Sequence, residues 1–218
     1  MKNKNKGSNE KRAQSVVVII LTIMLILLVV GVTYALFTYS KNGTAINQVT
    51  TATMTMNYVE GENGLTIENA IPMEDAVGKS LIGEDEVFDF TIDVNMTPGQ
   101  GLIYEIAAKK TEYPEEQAIK NEDVRLYLES SNTKGSGYTQ EMAPTSFTPL
   151  ENDTTIGSKK GEMLLATVGV TESKTTYYRL RMWVSKDFVL TGISKKFTVT
   201  INAYGKDTSV ENAETLAS

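Results

Sequence analysis

Val87-Phe88-Asp89-Phe90-Thr91-Ile92-Asp93-Val94-Asn95 decides the fold class. Phe88, Phe90, Ile92 and Val94 alternate with Asp89, Thr91 and Asp93. Side chains of a strand point to opposite faces in turn, so this pattern predicts a half-buried β-strand. Two later stretches repeat it. Tyr178, Leu180, Met182 and Val184 alternate with Tyr177, Arg179, Arg181 and Trp183, and Phe197, Val199, Ile201 and Ala203 alternate with Thr198, Thr200 and Asn202. Phe88, Phe90, Leu180, Met182, Phe197 and Val199 are therefore expected to face one common interior.

Weaker strand patterns occupy residues 46–58, 65–68, 102–108, 124–129 and 163–170. Turn-forming clusters separate them: Glu62-Asn63-Gly64, Thr97-Pro98-Gly99, Lys134-Gly135-Ser136-Gly137 and Thr191-Gly192. Residues 113–123 carry acids near their start and are predicted as a short helix. Residues 131–160 are polar and punctuated by glycine and proline, which predicts a long surface excursion. About eight strands with no helical crossover imply an all-β fold, an antiparallel β-sandwich or jelly roll.

Working toward the N-terminus, the character changes. Residues 16–37 form an uncharged apolar run of 22 residues. At about 1.5 Å per residue, a helix of that length crosses a hydrocarbon core of roughly 30 Å. Lys2, Lys4, Lys6, Lys11 and Arg12 precede it, against Glu10 alone. The positive-inside rule then puts residues 1–15 in the cytoplasm and the bulk of the chain outside. The predicted organisation is a basic head (1–15), a signal-peptide core or transmembrane helix (16–37), an extracytoplasmic sandwich (38–206) and a flexible tail (207–218).

The run has two readings. Gly31 ends its most apolar part, and Thr33 and Ala35 occupy the −3 and −1 positions of a cleavage site between Ala35 and Leu36. Its full length exceeds the usual signal-peptide core of about 7–15 residues, which instead suits an uncleaved anchor. The balance falls on cleavage, with the membrane and a signal peptidase as the first partners.

Composition narrows the chemistry. Of 21 basic and 27 acidic residues, five basic and one acidic lie in the first twelve positions, leaving 16 and 26, a net of −10. Such a domain repels phosphate backbones, so nucleic acid is not an expected partner. The chain has neither histidine nor cysteine. That removes histidine-dependent triads, thiolate nucleophiles, disulfides and His- or Cys-based zinc sites. An exported chain without cysteine points to bacterial export.

Carboxylates are the abundant catalytic-type groups, at Glu84-Asp85-Glu86, Asp89, Asp93, Glu115-Glu116 and Glu122-Asp123. Asp89 and Asp93 lie about 13 Å apart along one strand face, too far to share a proton or a cation. These clusters read as solvated faces, with a calcium site as the sharper alternative. Gly78-Lys79-Ser80 lacks the earlier glycine of a phosphate-binding loop. Tyr177, Arg179, Arg181 and Trp183 share a face on which guanidinium groups stack on rings. That face is either covered by a loop or a contact surface. No catalytic residue, cofactor or metal is expected.

The junction Gly31-Val32-Thr33-Tyr34-Ala35-Leu36-Phe37 resembles that of the TasA/camelysin family of bacterial exported β-sandwich proteins. Asn47 in a Thr-rich first strand and Val87-Phe88-Asp89-Phe90-Thr91-Ile92 are similar to that family too, as is Tyr178-Arg179-Leu180-Arg181-Met182-Trp183-Val184. The resemblance covers the junction and the first third of the exported part; beyond Gly99 no motif aligns. It implies a secreted or cell-surface protein of the extracellular matrix or biofilm, processed by a dedicated signal peptidase and able to form fibres. The metalloprotease activity ascribed to some members does not transfer to a chain without histidine. The competing expectation is a membrane-anchored module that binds a peptide, glycan or surface protein.

Overall fold

The computed structural model describes Met24 and residues 46–48, 52–58, 64–68, 71–83, 87–189 and 195–216, with 46–48 and 52–58 as backbone only. The apolar run apart from Met24, the Ala35–Leu36 junction and Glu84-Asp85-Glu86 lie outside the described residues. Among the described residues no helix is long and apolar enough to cross a membrane. The chain divides into two compact units, Met1–Asn42 and Gly43–Ser218.

The second unit is an antiparallel β-sandwich. Its described strands are β1 (Ile46–Gln48), β2 (Ala52–Tyr58), β3 (Gly64–Glu68), β4 (Val87–Met96), β5 (Gly101–Lys110), β6 (Val124–Ser131), β7 (Thr139–Ser146), β8 (Met163–Val170), β9 (Lys174–Val184) and β10 (Lys196–Thr208). One sheet has the order β1-β2-β4-β9-β6-β7 and the other β3-β10-β5-β8. Two short helices, α1 (Asp75–Gly78) and α2 (Val210–Glu214), sit at their margins.

The core lies between the sheets and consists of the residues that the alternation selects. Phe88, Phe90, Leu180, Met182, Phe197 and Val199 are all buried in it, joined by Leu102, Ile106, Leu126 and Leu128 from β5 and β6. Phe90 stacks between Phe88 and Tyr178, with ring centroids 5.5 and 5.2 Å away. Across the core, the hydroxyls of Tyr104 and Tyr178 meet at 2.5 Å, so two buried polar groups satisfy each other.

Four expectations need correction. The segment 46–58 is two antiparallel strands rather than one, because a Thr-rich alternating run continues its pattern through a reversal. Residues 113–123 form turns and a single 3-10 turn, Asn121–Asp123, instead of a helix. The excursion at 131–160 contains β7, which pairs with β6. Its sequence, TQEMAPTS, hides this because an edge strand needs little apolar content, and Pro144 is tolerated where one side of the ladder is open. The described part of the tail, residues 207–216, is structured. β10 continues to Thr208, and Ser209 caps α2 by accepting a hydrogen bond from Asn212 N at 3.3 Å. Ala213 is fully buried, and a Cβ on Gly169 would lie 1.9 Å from its carbonyl oxygen. Glycine there lets helix and strand touch.

Candidate aromatic and charged face

The outward side of β9 runs through the middle of the six-stranded sheet, and register brings its neighbours into rows. Arg179 lies between Asp89 of β4 and Glu129 of β6, and Tyr177 lies between Thr91 and Ser131. Arg181 lies between Val87 and Tyr127. The four residues singled out in sequence do share this face, but they meet different environments.

At one end the face is covered. The segment 71–83 crosses it, with Met73 N bonded to Val184 O at 3.0 Å. Gly78 of α1 lies flat on Trp183; a Cβ there would sit 2.2 Å from the indole. Trp183 is buried, its Nε1 donates to Asp75 Oδ1 at 3.3 Å, and Tyr127 meets its ring edge-on at 6.5 Å. Arg181 is buried as well. It donates Nε to Leu81 O at 2.6 Å, forms an ion pair with Glu129 and lies over the Tyr127 ring. Tyr127 in turn donates to Glu129 Oε1 at 3.0 Å, and burial, followed by that carboxylate, raises its phenol pKa. The loop-covered reading holds for Arg181 and Trp183.

The other end is open. Arg179 forms two parallel bonds to Asp89, Nε to Oδ1 and Nη2 to Oδ2, both 2.7 Å. This fork geometry is the strong form of an Arg–carboxylate pair and raises the guanidinium pKa further. Its outer side lies 4.6 Å from the centre of the Tyr138 ring. Tyr138 is half-buried, and its pKa is raised first by burial and then by Asp89. Tyr177 is also half-buried, and no hydrogen bond holds its hydroxyl among the described residues. Further along, Thr175 donates to Asp93 Oδ1 at 2.6 Å. Beyond them a polar cleft of about 350 Å³ is lined by Asp93, Val94, Asn95, Ser173, Lys174 and Thr175.

Asp89 and Asp93 are thus held by separate partners on one face. Glu115, Glu116 and Glu122 are exposed and Asp123 is half-exposed, as solvated residues are. No group of three acidic residues that could hold a metal ion occurs among the described residues. Glu129, Tyr127 and Tyr138 escaped sequence reasoning. The strand holding Tyr127 and Glu129 was readable and Tyr138 fell in the expected excursion at 131–160, but the register that sets all three beside Arg179 and Arg181 was not readable.

A second polar cluster, unforeseen in sequence, lies on the outer side of the four-stranded sheet. Glu105 is buried beneath residues 152–162 and accepts from Thr154 Oγ1 at 2.5 Å and Ser158 N at 3.1 Å. Glu162, also buried, accepts from Lys159 N, Asn202 Nδ2 and Tyr204 Oη at 2.8, 2.8 and 2.9 Å. Adjacent backbone N–H groups at 158 and 159 therefore grip two carboxylates, which clamps the loop onto the sheet. Burial and then Glu162 raise the Tyr204 pKa. Every carboxylate oxygen used here faces donors within the fold, which marks a structural clasp.

Neither a protein-family profile nor a curated protein sequence matches the chain. Among solved structures it is similar to the VP2 subviral particle of infectious bursal disease virus, at 7% identity and a TM-score of 0.35, over 77% of this chain and 35% of that one. It spans about a third of that protein's length. It is also similar to TmCBM61 in complex with β-1,4-galactotriose, at 10% identity and a TM-score of 0.25, over 71% and 88% of the two chains. The CBM3a-L domain of scaffoldin cipA from the Clostridium thermocellum cellulosome matches at 9% identity and a TM-score of 0.27, over 71% and 85%. Likeness this remote carries nothing about ligands or activity.

Proposed function

We propose that the chain is an exported, non-enzymatic protein of the bacterial cell surface or extracellular matrix, whose sandwich serves for contact and assembly. The observation that carries this reading is the arrangement of charge on the outward face of β9. Arg179 is locked to Asp89 on the open half and Arg181 to Glu129 beneath residues 71–83, so these groups are fixed by one another rather than converging on a reacting atom. Export rests on the basic head and the apolar run at 16–37. The alternative is the same sandwich held at the membrane by an uncleaved 16–37 helix and displayed to a partner.

N-terminal sequencing of the protein recovered from culture medium and from membranes tests the proposal. The released form is expected to begin at Leu36. Protein found only in membranes, with its first residues intact, would replace the matrix reading with the anchored one. Protein retained in the cytoplasm would remove both.

A further inference from the structure

We infer that the open half of this face binds a neutral polysaccharide strand, with the Tyr177 ring as its stacking platform. This deepens the contact role proposed above by naming the chemistry of the partner, and it does not depend on whether residues 16–37 are cleaved.

Electrostatics select the ligand class. Arg179 is neutralised by Asp89 through two bonds of 2.7 Å, and Arg181 by Glu129. The face therefore presents dense hydrogen-bonding capacity with little net charge. An anionic ligand would meet paired guanidinium groups on an acidic domain, with Lys174 at the cleft as an exposed cation isolated among the described residues. A polyhydroxylated neutral chain suits it, since hydroxyls both donate and accept and need no counter-charge.

Aromatic placement selects the geometry. Tyr177 occupies the centre of the row between Thr91 and Ser131, half exposed and with its hydroxyl unbonded among the described residues. A tyrosine so placed offers an apolar ring for the C–H face of a sugar and a polar tip for its hydroxyls. Tyr138, at the β6–β7 hairpin, lies over Arg179, the next outward residue of β9. That hairpin is pinned by Ser131 Oγ donating to Ser136 O at 2.5 Å and by Thr133 N donating to Ser131 Oγ at 2.9 Å. Gly135 and Gly137, at φ of 75° and 68°, permit its tight path. A fixed rim lowers the ordering cost of binding. From Arg179 the platform runs about 13 Å along β9 to Thr175 and opens into the cleft beside Asp93 and Asn95, so an extended chain rather than a single sugar fits it.

The test is native affinity electrophoresis of the full-length chain in a non-ionic detergent without sugar headgroups. The gels contain hydroxyethylcellulose, mixed-linkage β-glucan, galactan or, as a polyanion, polygalacturonate. Retardation is expected in at least one neutral polysaccharide. Tyr177→Ala should raise the apparent Kd about tenfold or more, while Tyr177→Phe, which keeps the ring, should stay within about threefold. Tyr113→Ala, which alters a ring on the other sheet, should match the unsubstituted chain, and circular dichroism should report an unchanged fold for all three. No retardation in any neutral polysaccharide overturns the inference. So does retardation by polygalacturonate alone, or a Tyr177→Ala variant that binds as the unsubstituted chain does. A change in oligomeric state on Tyr177→Ala without retardation would also overturn it, assigning the face to contact between copies.

Discussion

Phe90 shows how much one side chain can matter in a core of this size. It is 1% exposed and stacks on both sides, against Phe88 and Tyr178. Phe90→Ala removes the ring and leaves a cavity that neighbouring strands cannot close, a loss of roughly 3–5 kcal/mol. That is large beside a total stability of about 5–15 kcal/mol. Chemical denaturation should read it directly; a change under about 1 kcal/mol would mean the site repacks. Tyr104 and Tyr178 make a different prediction. Burial pushes the Tyr104 phenol up to about 12 from 10.0, and burial followed by Tyr104 raises Tyr178 well above its usual value. Below pH 10 both phenols are protonated in either state, and the stability they contribute is complete. As pH rises above 10 the unfolded phenols ionise while the folded ones keep their protons, so stability falls progressively toward pH 12. Urea midpoints should therefore drop between about pH 10 and pH 12, and less steeply in Tyr104→Phe. Parallel pH profiles for the two chains would show that the pair does not govern alkaline unfolding.

At the scale of elements, α2 matters more than its five residues suggest. β8 is the edge of its sheet, and Gly169 N finds its partner in Leu216 O at 3.3 Å, just past the helix. The helix thereby covers backbone that would otherwise invite another strand. Gly169→Val places side-chain carbon into the Ala213 carbonyl and should lift α2 away. The expected result is a lower melting temperature together with faster aggregation on mild heating. A variant as soluble and stable as the parent would mean the helix is dispensable cover. This element also marks how far the sequence could be read. Strands with one buried face declare themselves by alternation, which is why β4, β9 and β10 were legible with their inward residues correct. β7 pairs through backbone with mostly exposed side chains, so no apolar period announces it. α2 depends on glycines at 101 and 169 that meet it only after β5 and β8 pair, a contact invisible to local pattern. The aromatic face divided likewise. Its β9 members were visible, but Gly78, Glu129 and Tyr138 come from distant positions brought together by register and crossing.

For the whole molecule, the decisive question is which sheet edges remain available once α2 has covered β8. β7 is protected by Pro144 and by register shifts against β6, devices that discourage pairing with another chain. Among the described residues β3, only five residues long, pairs on one side with β10 and ends its sheet on the other, and β1 ends the larger sheet. We expect a strand from a neighbouring copy to add at one of these two edges, and residues 36–41 are the segment best suited to supply it. Leu36-Phe37-Thr38-Tyr39-Ser40 is β-prone, and in an extended conformation Phe37 and Tyr39 project to one side. Strand addition takes its affinity from backbone hydrogen bonds and its specificity from alternate side chains, so two aromatic residues at that spacing would set the register. If residues 16–37 enter the membrane and cleavage follows Ala35, the segment is held there before cleavage and becomes a free end after it. Under that proposal assembly would wait for export and cleavage. Deleting residues 36–41 while retaining the leader through Ala35 should leave a processed, folded monomer that sediments without high-molecular-weight species and forms no fibres by electron microscopy. Fibres of ordinary length from the shortened chain would show that copies join through another edge, and would return residues 36–41 to the role of a stalk.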